Sequence, residues 1–295
     1  MKIAIYGQYY KDNTEEIIDR LLAVFDSYGP HIAVETNFYN ALAEKELLAG
    51  RNYPVFSGHE ELNGFDILIC IGGDGTMLRA ATYVRDKNIP IVGINAGRLG
   101  FLATVQQENI PHLLPLLFEN KYKISPRTLL TVDYDGKPET PAGELDFALN
   151  EVTVSRKDTT SMITIETKLN GEYLNSYWAD GLIISTPTGS TGYSLSCGGP
   201  VLMPEVSSLV ITPIAPHNLN ARPLVIPDDT EIELRVSSRE EQHLVSLDSR
   251  IISMDVETAI CIKKTGFKIN LVEFAEEKFT DTLRKKLLWG EDKRN

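Results

Sequence analysis

Residues 65–76 read FDILICIGGDGT, a nearly continuous apolar run broken by Asp66 and closed by a glycine-rich turn. A short run without alternation fits a strand covered on both faces, which occurs in parallel sheets with helical crossovers. The pattern around it agrees. Ile3 to Tyr6 reads as a strand, followed by a helix behind Asn13–Thr14 in which Ile17, Leu21 and Phe25 recur every fourth residue. Ile32 to Glu35 is a second strand, Tyr39 to Leu48 a second helix, Thr76 to Arg85 a third and Pro90 to Ile94 another strand. This rhythm predicts an open α/β sheet with right-handed crossovers.

The rhythm changes after residue 125. Leu129–Tyr134, Phe147–Ser155, Met162–Leu169, Leu182–Ser185, Leu209–Ile214, Ile232–Val236, His243–Leu247 and Ile260–Lys263 are short strand-like runs separated by turn residues. They predict a mostly β region of two packed sheets. From Glu276 the chain turns helical again, with Phe279, Leu283, Leu287 and Leu288 as its apolar stripe and Trp289 beside them. The expected division is 1–125 plus 275–295 as the α/β domain, its last helix docking back on it, and 126–274 as the β-rich domain.

A chain of 295 residues with 42% hydrophobic and 24% charged residues can bury a substantial core, which makes disorder a poor reading. Its net charge of −12 argues against nucleic-acid or anionic-membrane partners. A phosphate ligand stays open, because backbone amides and metals can supply positive potential locally. Cys70, Cys197 and Cys261 are far apart with no CxxC pair, as expected of reduced cytoplasmic thiols. The opening MKIAIYG is too short for a signal peptide. No apolar run approaches the roughly 20 residues a membrane span needs.

The chemistry concentrates in two places. In Gly72-Gly73-Asp74-Gly75-Thr76 the glycines allow close approach to a ligand, the following amides can cradle phosphate oxygens, and Thr76 can cap the helix. Asp74 would repel phosphate unless it contacts a metal or accepts a hydrogen bond from a hydroxyl. Arg79, one turn on, and Arg98, in Gly93 to Phe101, could reach an anion. The turn is neither a Walker A loop nor GxGxxG. In the β-rich half, Asn150-Glu151 interrupts the apolar FALNEVTVS, and a buried carboxylate or amide there needs a partner. Asp180 precedes a strand leading into Thr186 to Ser196, crowded with hydroxyls and glycines, where Tyr193 could pack on a flat ring. The five histidines show no zinc spacing.

Together, GGDGT at 72–76, GINAGRLGFL at 93–102, NE at 150–151, DGLIISTPTGSTGYSLSCGGP at 180–200 and TPIAPHNLNARPLVIP at 212–227 resemble the NAD kinase family, in its order and across almost the whole chain. GGDGT alone is shared with lipid kinases of the diacylglycerol type; the 180–200 block is specific. The resemblance implies an α/β domain, a domain of packed β sheets and a returning C-terminal helix. It implies that ATP, with Mg²⁺ or another divalent metal, phosphorylates the adenosine-ribose 2′-hydroxyl of NAD to give NADP. On the family's pattern Asp74 matches the proposed catalytic base. The dinucleotide is placed against Gly75, Asn150, Glu151, Asp180 and the span Thr191, Gly192, Tyr193, Ser194, Leu195 and Ser196. Arg79, Thr188 and Arg250 complete the candidate binding set, and no residue is assigned as a metal ligand. Family members are commonly homodimers or homotetramers. Two positions depart from common forms: Gly192 stands where STAYS has alanine, and Arg250 where LDGQ has glutamine. A lipid kinase and a non-catalytic dinucleotide sensor are the alternative readings.

Overall fold

The computed structural model describes residues 1–11, 13–134, 146–158, 161–256 and 258–289. The chain forms two compact units, Met1–Pro126 with Ile269–Asn295, and Arg127–Lys268.

In the first unit, strands β1 (Lys2–Gly7), β2 (His31–Glu35), β3 (Val55–Phe56), β4 (Ile67–Gly72) and β5 (Ile91–Asn95) lie in the order β3-β2-β1-β4-β5, all parallel. The first helix, α1 (Asn13–Tyr28), buries Ile17, Leu21 and Phe25 in one cluster with Ile3, Ile5, Ile67, Ile69 and Ile71. Strand alternation turns Leu68 and Cys70 to the other face, where Met77, Ala80 and Val84 of α3 (Asp74–Val84) are buried. Both faces of β4 are thus covered, which is why its sequence is apolar without a break. The helix α2 (Thr36–Glu44) starts earlier than its apolar spacing predicts, because the Glu35 carboxylate caps it by accepting from the Phe38 amide at 2.9 Å.

The chain runs β1, β2, β3 outward on one side and then places β4 and β5 on the other. The order therefore reverses between β1 and β4, and open α/β sheets bind ligands outside the carboxyl ends of such a pair. The glycine turn leaves β4 at that end.

Beyond β5 the sheet continues with Ile269–Glu273, parallel to β5, and then Lys123–Arg127. The last strand as well as the last helix thus belongs to the first compact unit, which resumes at Ile269. A strand's own residues do not say which sheet it joins. The helix Phe279–Leu287 follows, its Phe279 ring 5.8 Å from that of Phe101. No helix among the described residues is long and apolar enough to cross a membrane.

The second unit holds two six-stranded sheets. One runs Leu224–Pro227, Ser208–Ile214, Gly181–Ser185, Glu151–Arg156, Gln242–Leu247, Arg250–Asp255. The other runs Glu172–Ala179, Ile163–Leu169, Ile232–Ser237, Ile260–Lys264, Leu130–Tyr134, Phe147–Ala148. Val152, Leu182, Ile211 and Val245 of the first share one core with Val132, Ile165, Leu234 and Ile262 of the second. The run expected as one strand from Phe147 to Ser155 is interrupted at Leu149–Asn150.

His243 lies fully buried on the face that carries Val245 and Leu247, and neither ring nitrogen has a hydrogen-bond partner among the described residues. Burial holds its pKa down to about 4, against the opposing charge of Asp255. The unfolded chain binds this proton near pH 6.5 and the folded one does not, so stability present at neutral pH is lost as pH falls from 6.5 to about 4. Replacing it by leucine should remove up to about 3 kcal/mol of that acid-side loss, read as a flatter dependence of urea unfolding on pH between 7 and 4. An unchanged dependence in His243→Leu would show that the ring is not the titrating group.

Candidate active site

Asp74 is the first residue of α3, with Gly73 as its N-cap. Its half-buried carboxylate accepts three backbone N–H groups: Oδ2 from Phe101 at 2.9 Å, Oδ1 from Leu102 at 2.9 Å and Ala103 at 3.2 Å. A carboxylate offers about four acceptor directions, so among the described residues one position on Oδ2 is left unfilled. Gly100 makes this geometry possible, since a Cβ there would fall 2.0 Å from Oδ1. Asn95 shapes the loop, donating to the carbonyls of Arg98 at 2.8 Å and Ala103 at 3.3 Å and accepting from the Gly97 amide at 2.8 Å. Thr76 does not cap α3 as its position suggested; it is buried against Gly72, where a Cβ would lie 2.3 Å from its hydroxyl.

Gly75 is exposed in the first turn, where helix amides lack intrahelical partners. Arg79 is also exposed and donates to Gln8 Oε1 at 3.1 Å, which also accepts from the Tyr10 hydroxyl at 3.1 Å. Gln8 follows β1, so Asp74, Gly75 and Arg79 stand together at the reversal point of the sheet. Sequence reasoning missed Gln8 and Tyr10, because nothing in GQYYKDN marks them until β1 is set beside β4.

In the second unit the other candidates gather around Asn150-Glu151. Asp248, nearly buried in the two-residue hairpin turn after Leu247 with φ of 52°, is the holder. It accepts from the amides of Leu149 at 3.0 Å, Asn150 at 2.8 Å and Glu151 at 3.3 Å. Those bonds take the amides that a continuous strand would use elsewhere, which is the cause of the break at 149–150. The loop 186–192 closes on the same turn: Thr186 donates from its hydroxyl to Leu149 O at 2.6 Å and from its amide to Asn150 O at 2.9 Å. A Cβ on Gly189 would fall 2.1 Å from that Asn150 oxygen.

Glu151 is buried, and its Oε2 has no partner among the described residues. Burial pushes its pKa up to about 7, Asp248 adds to the shift and a hydrogen bond from the Tyr193 amide opposes it. Burial likewise raises Asp248, against the three amides and Arg250. Tyr193 presents its ring to solvent at 45% exposure beside this group, as a flat surface that stacking requires. Ser196 is exposed and Leu195 half-buried. Other candidates are engaged internally. Thr188 is buried and its carbonyl accepts from the Thr191 hydroxyl at 3.1 Å. The Ser194 hydroxyl is fully buried, 2.8 Å from that of Thr212. Asp180 pairs with Arg156 at 3.1 Å. Arg250 lies over the Phe147 ring at 5.5 Å and donates to Leu247 O at 3.3 Å and to Phe147 O.

The profile of the ATP-NAD kinase N-terminal domain matches residues 9–122, and that of the ATP-NAD kinase C-terminal domain matches 149–274. The chain belongs to the NAD kinase family. The NAD kinase of Flavobacterium psychrophilum is 64% identical over 296 residues, covering all of both chains, and that of Bacteroides fragilis is 41% identical over 298, again covering both. Among solved structures, an Archaeoglobus fulgidus NAD kinase in complex with ATP shares 27% identity at a TM-score of 0.72, covering 98% of this chain and 99% of that one. Yeast NADH kinase complexed with NADH shares the fold at a TM-score of 0.87 with 24% identity, covering 99% and 89%.

Within this NAD kinase family member the glycine at 192 has a local consequence. A Cβ there would stand 3.0 Å from Glu151 Oε2, so alanine requires the carboxylate to give way. The folded protein holds the Glu151 proton more tightly than the unfolded chain does. Its contribution to stability is therefore full below pH 4.5 and is lost as pH rises through about 7. Glu151→Gln should match the parent in unfolding free energy at pH 4.5 and exceed it by up to about 3 kcal/mol at pH 8; a constant difference at both pH values would contradict this. Gly100→Ala should retain its circular dichroism spectrum and lose at least about tenfold in turnover, through displacement of the Asp74 carboxylate. Normal turnover would mean that carboxylate position is immaterial.

Proposed function

We infer that the chain transfers the terminal phosphoryl group of ATP to the 2′-hydroxyl of the adenosine ribose of NAD, giving NADP. Family membership supports the reaction, and the observation that carries the mechanism is the single acceptor position left on Asp74. A ribose hydroxyl donates a hydrogen bond, and that position accepts one. As the 2′-oxygen bonds to the terminal phosphorus, the bond to the bridging oxygen breaks and its electron pair leaves with ADP. The hydroxyl proton passes to Asp74. A carboxylate is a weak base at neutral pH, so its fixed direction contributes more than its basicity. The candidate contacts for the dinucleotide are Gly75 in the first unit and, in the second, Asn150, Glu151, Asp180, Thr191, Gly192, Tyr193, Leu195 and Ser196. Arg79 is suited to an anionic group of either substrate. Thr188, Ser194 and Arg250 act by bracing, through the internal bonds described.

A protein-held divalent metal does not fit these residues. Three of the acceptor directions of Asp74 are taken, and no group of three or more His, Cys, Asp or Glu among the described residues is gathered as ligands. The cation accordingly enters as part of the substrate, on the phosphates of ATP, as is usual for Mg²⁺. Free thiols at Cys70, Cys197 and Cys261 support a reducing, cytoplasmic setting. Exposed Leu219, Ile251, Tyr173 and Trp178 on the second unit support association with a second copy, as homodimer or homotetramer.

Incubation with ATP, Mg²⁺ and NAD should yield NADP by mass analysis, and the same mixture with diacylglycerol should yield no phosphatidate. Asp74→Asn, which can keep the two amide bonds on Oδ1, should fold and lose about 10²–10⁴-fold in turnover. Near-normal turnover in that variant would remove Asp74 from the mechanism.

A further inference from the structure

The three amides that hold Asp74 belong to a loop, and the loop itself is held by the end of the chain. Helical spacing puts Phe279, Leu283 and Lys286 on one face of Phe279–Leu287. Phe279 packs its ring 5.8 Å from that of Phe101, tilted by 41°, and Lys286 Nζ stands 5.0 Å from the centre of the same ring. Leu283 is buried. Just before the helix, Glu277 Oε2 accepts from the Thr104 hydroxyl at 2.8 Å. The segment therefore grips the residues on both flanks of the three donors: Phe101, itself one of them, and Thr104, which follows Ala103. Beside these contacts the helix and loop are not packed solid. A cavity of about 510 Å³ is lined by Leu99, Thr104, Gln106, Glu277 and Lys285, among others, so the grip is carried by particular side chains and not by a continuous interface.

We propose that the C-terminal segment Glu277–Lys286 is a positioning element for the reaction: it fixes the 101–103 loop and, through its three amides, the direction of the Asp74 carboxylate. This rests on the reading of Asp74 as the group that receives the hydroxyl proton. Phe279, Lys286, Glu277 and Thr104 are positioning residues, since they act only through the loop. Loss of the aromatic contact frees Phe101, the amide bond to Oδ2 lengthens, and the carboxylate samples orientations that do not meet the hydroxyl.

The test uses the full chain. Phe279→Ala should lower kcat about tenfold with KM for NAD and ATP within about twofold, the pattern of a lost alignment and not of lost binding. Phe279→Tyr should restore kcat. Amide hydrogen exchange at Phe101, Leu102 and Ala103 should rise in Phe279→Ala; in Asp74→Asn it should rise at Phe101, and Phe279→Ala added to Asp74→Asn should cost no further turnover. Lys286→Ala and Thr104→Val leave the apolar packing in place and are read the same way, each with a kcat loss of about threefold, should Phe279→Ala fail to fold. Unchanged exchange at the three amides, unchanged kcat in folded variants, or losses that multiply with that of Asp74→Asn would overturn the proposal. Faster exchange in Phe279→Ala together with full turnover of Asp74→Asn would keep the grip and discard the role of Asp74, which separates the two readings.

Discussion

Asp74 begins its helix 27 residues before the first of the three amides it accepts, and much of the first unit's geometry at the carboxyl end of the sheet follows from that bond set. The loop must come close enough to donate, which requires a bare Cα at Gly100 against Oδ1 and at Gly93, where a Cβ would fall 2.7 Å from the Leu102 carbonyl oxygen. It must also keep its shape, which Asn95 secures from the end of β5 with both ends of its amide. A carboxylate so held loses rotamer freedom that a solvated aspartate would keep. That loss is already met in the folded state, before any substrate arrives, and this is what pre-organisation means for an acceptor of a single proton.

The second unit contains the same device in a drier setting. Asp248 also accepts three consecutive amides, from Leu149 to Glu151, and it too stands at a turn with its partners about a hundred residues away in sequence. The two differ in exposure. Asp74 is half-open, with one acceptor position to spare, whereas the Asp248 side chain is 5% exposed and burial raises its pKa despite the amides. Burial of Glu151 raises its own pKa and the charge of Asp248 adds to the shift, while its Oε2 has no partner among the described residues. One device thus orients an acceptor, and the other orients a backbone turn and strains a neighbouring carboxylate.

What could be read in the sequence was local. The strand, turn and helix of 65–85 are contiguous, so their apolar run and glycines announce them; the helix after Asn13 is announced by its spacing. What could not be read was pairing at a distance. The amides of 101–103 carry no side-chain signal, and Asp248 in LDSR looks like an ordinary turn residue. The strand Ile269–Glu273 shows its alternation but not its sheet. Glu172–Ala179, Leu224–Pro227 and Arg250–Asp255 are edge strands with open outer faces, so their sequences lack the regular apolar alternation that marked the inner ones. The hydroxyl-rich stretch after Thr186 was legible as special but not in detail, because Thr186, Ser190 and Ser194 spend their hydroxyls inside the protein.

The glycines around Asp74 separate two demands that a sequence cannot distinguish. Gly72, Gly93 and Gly100 are required by the chain itself, since a Cβ at any of them would meet protein atoms at 2.7 Å or less. Gly73 and Gly75 are not: a Cβ on either would meet nothing within 4 Å, and neither has the positive φ that favours glycine. In the first turn of a helix glycine is also a poor choice, costing about 1 kcal/mol against alanine in a helix interior. Packing, backbone conformation and helix propensity therefore all fail to account for Gly75, whereas Gly73 stands at the N-cap, a position that suits glycine. The remaining reason for leaving a Cα bare is close approach by atoms that do not belong to the chain. At the amino end of α3, beside a carboxylate with one free acceptor position, a phosphorylated nucleotide has the chemistry to make that approach.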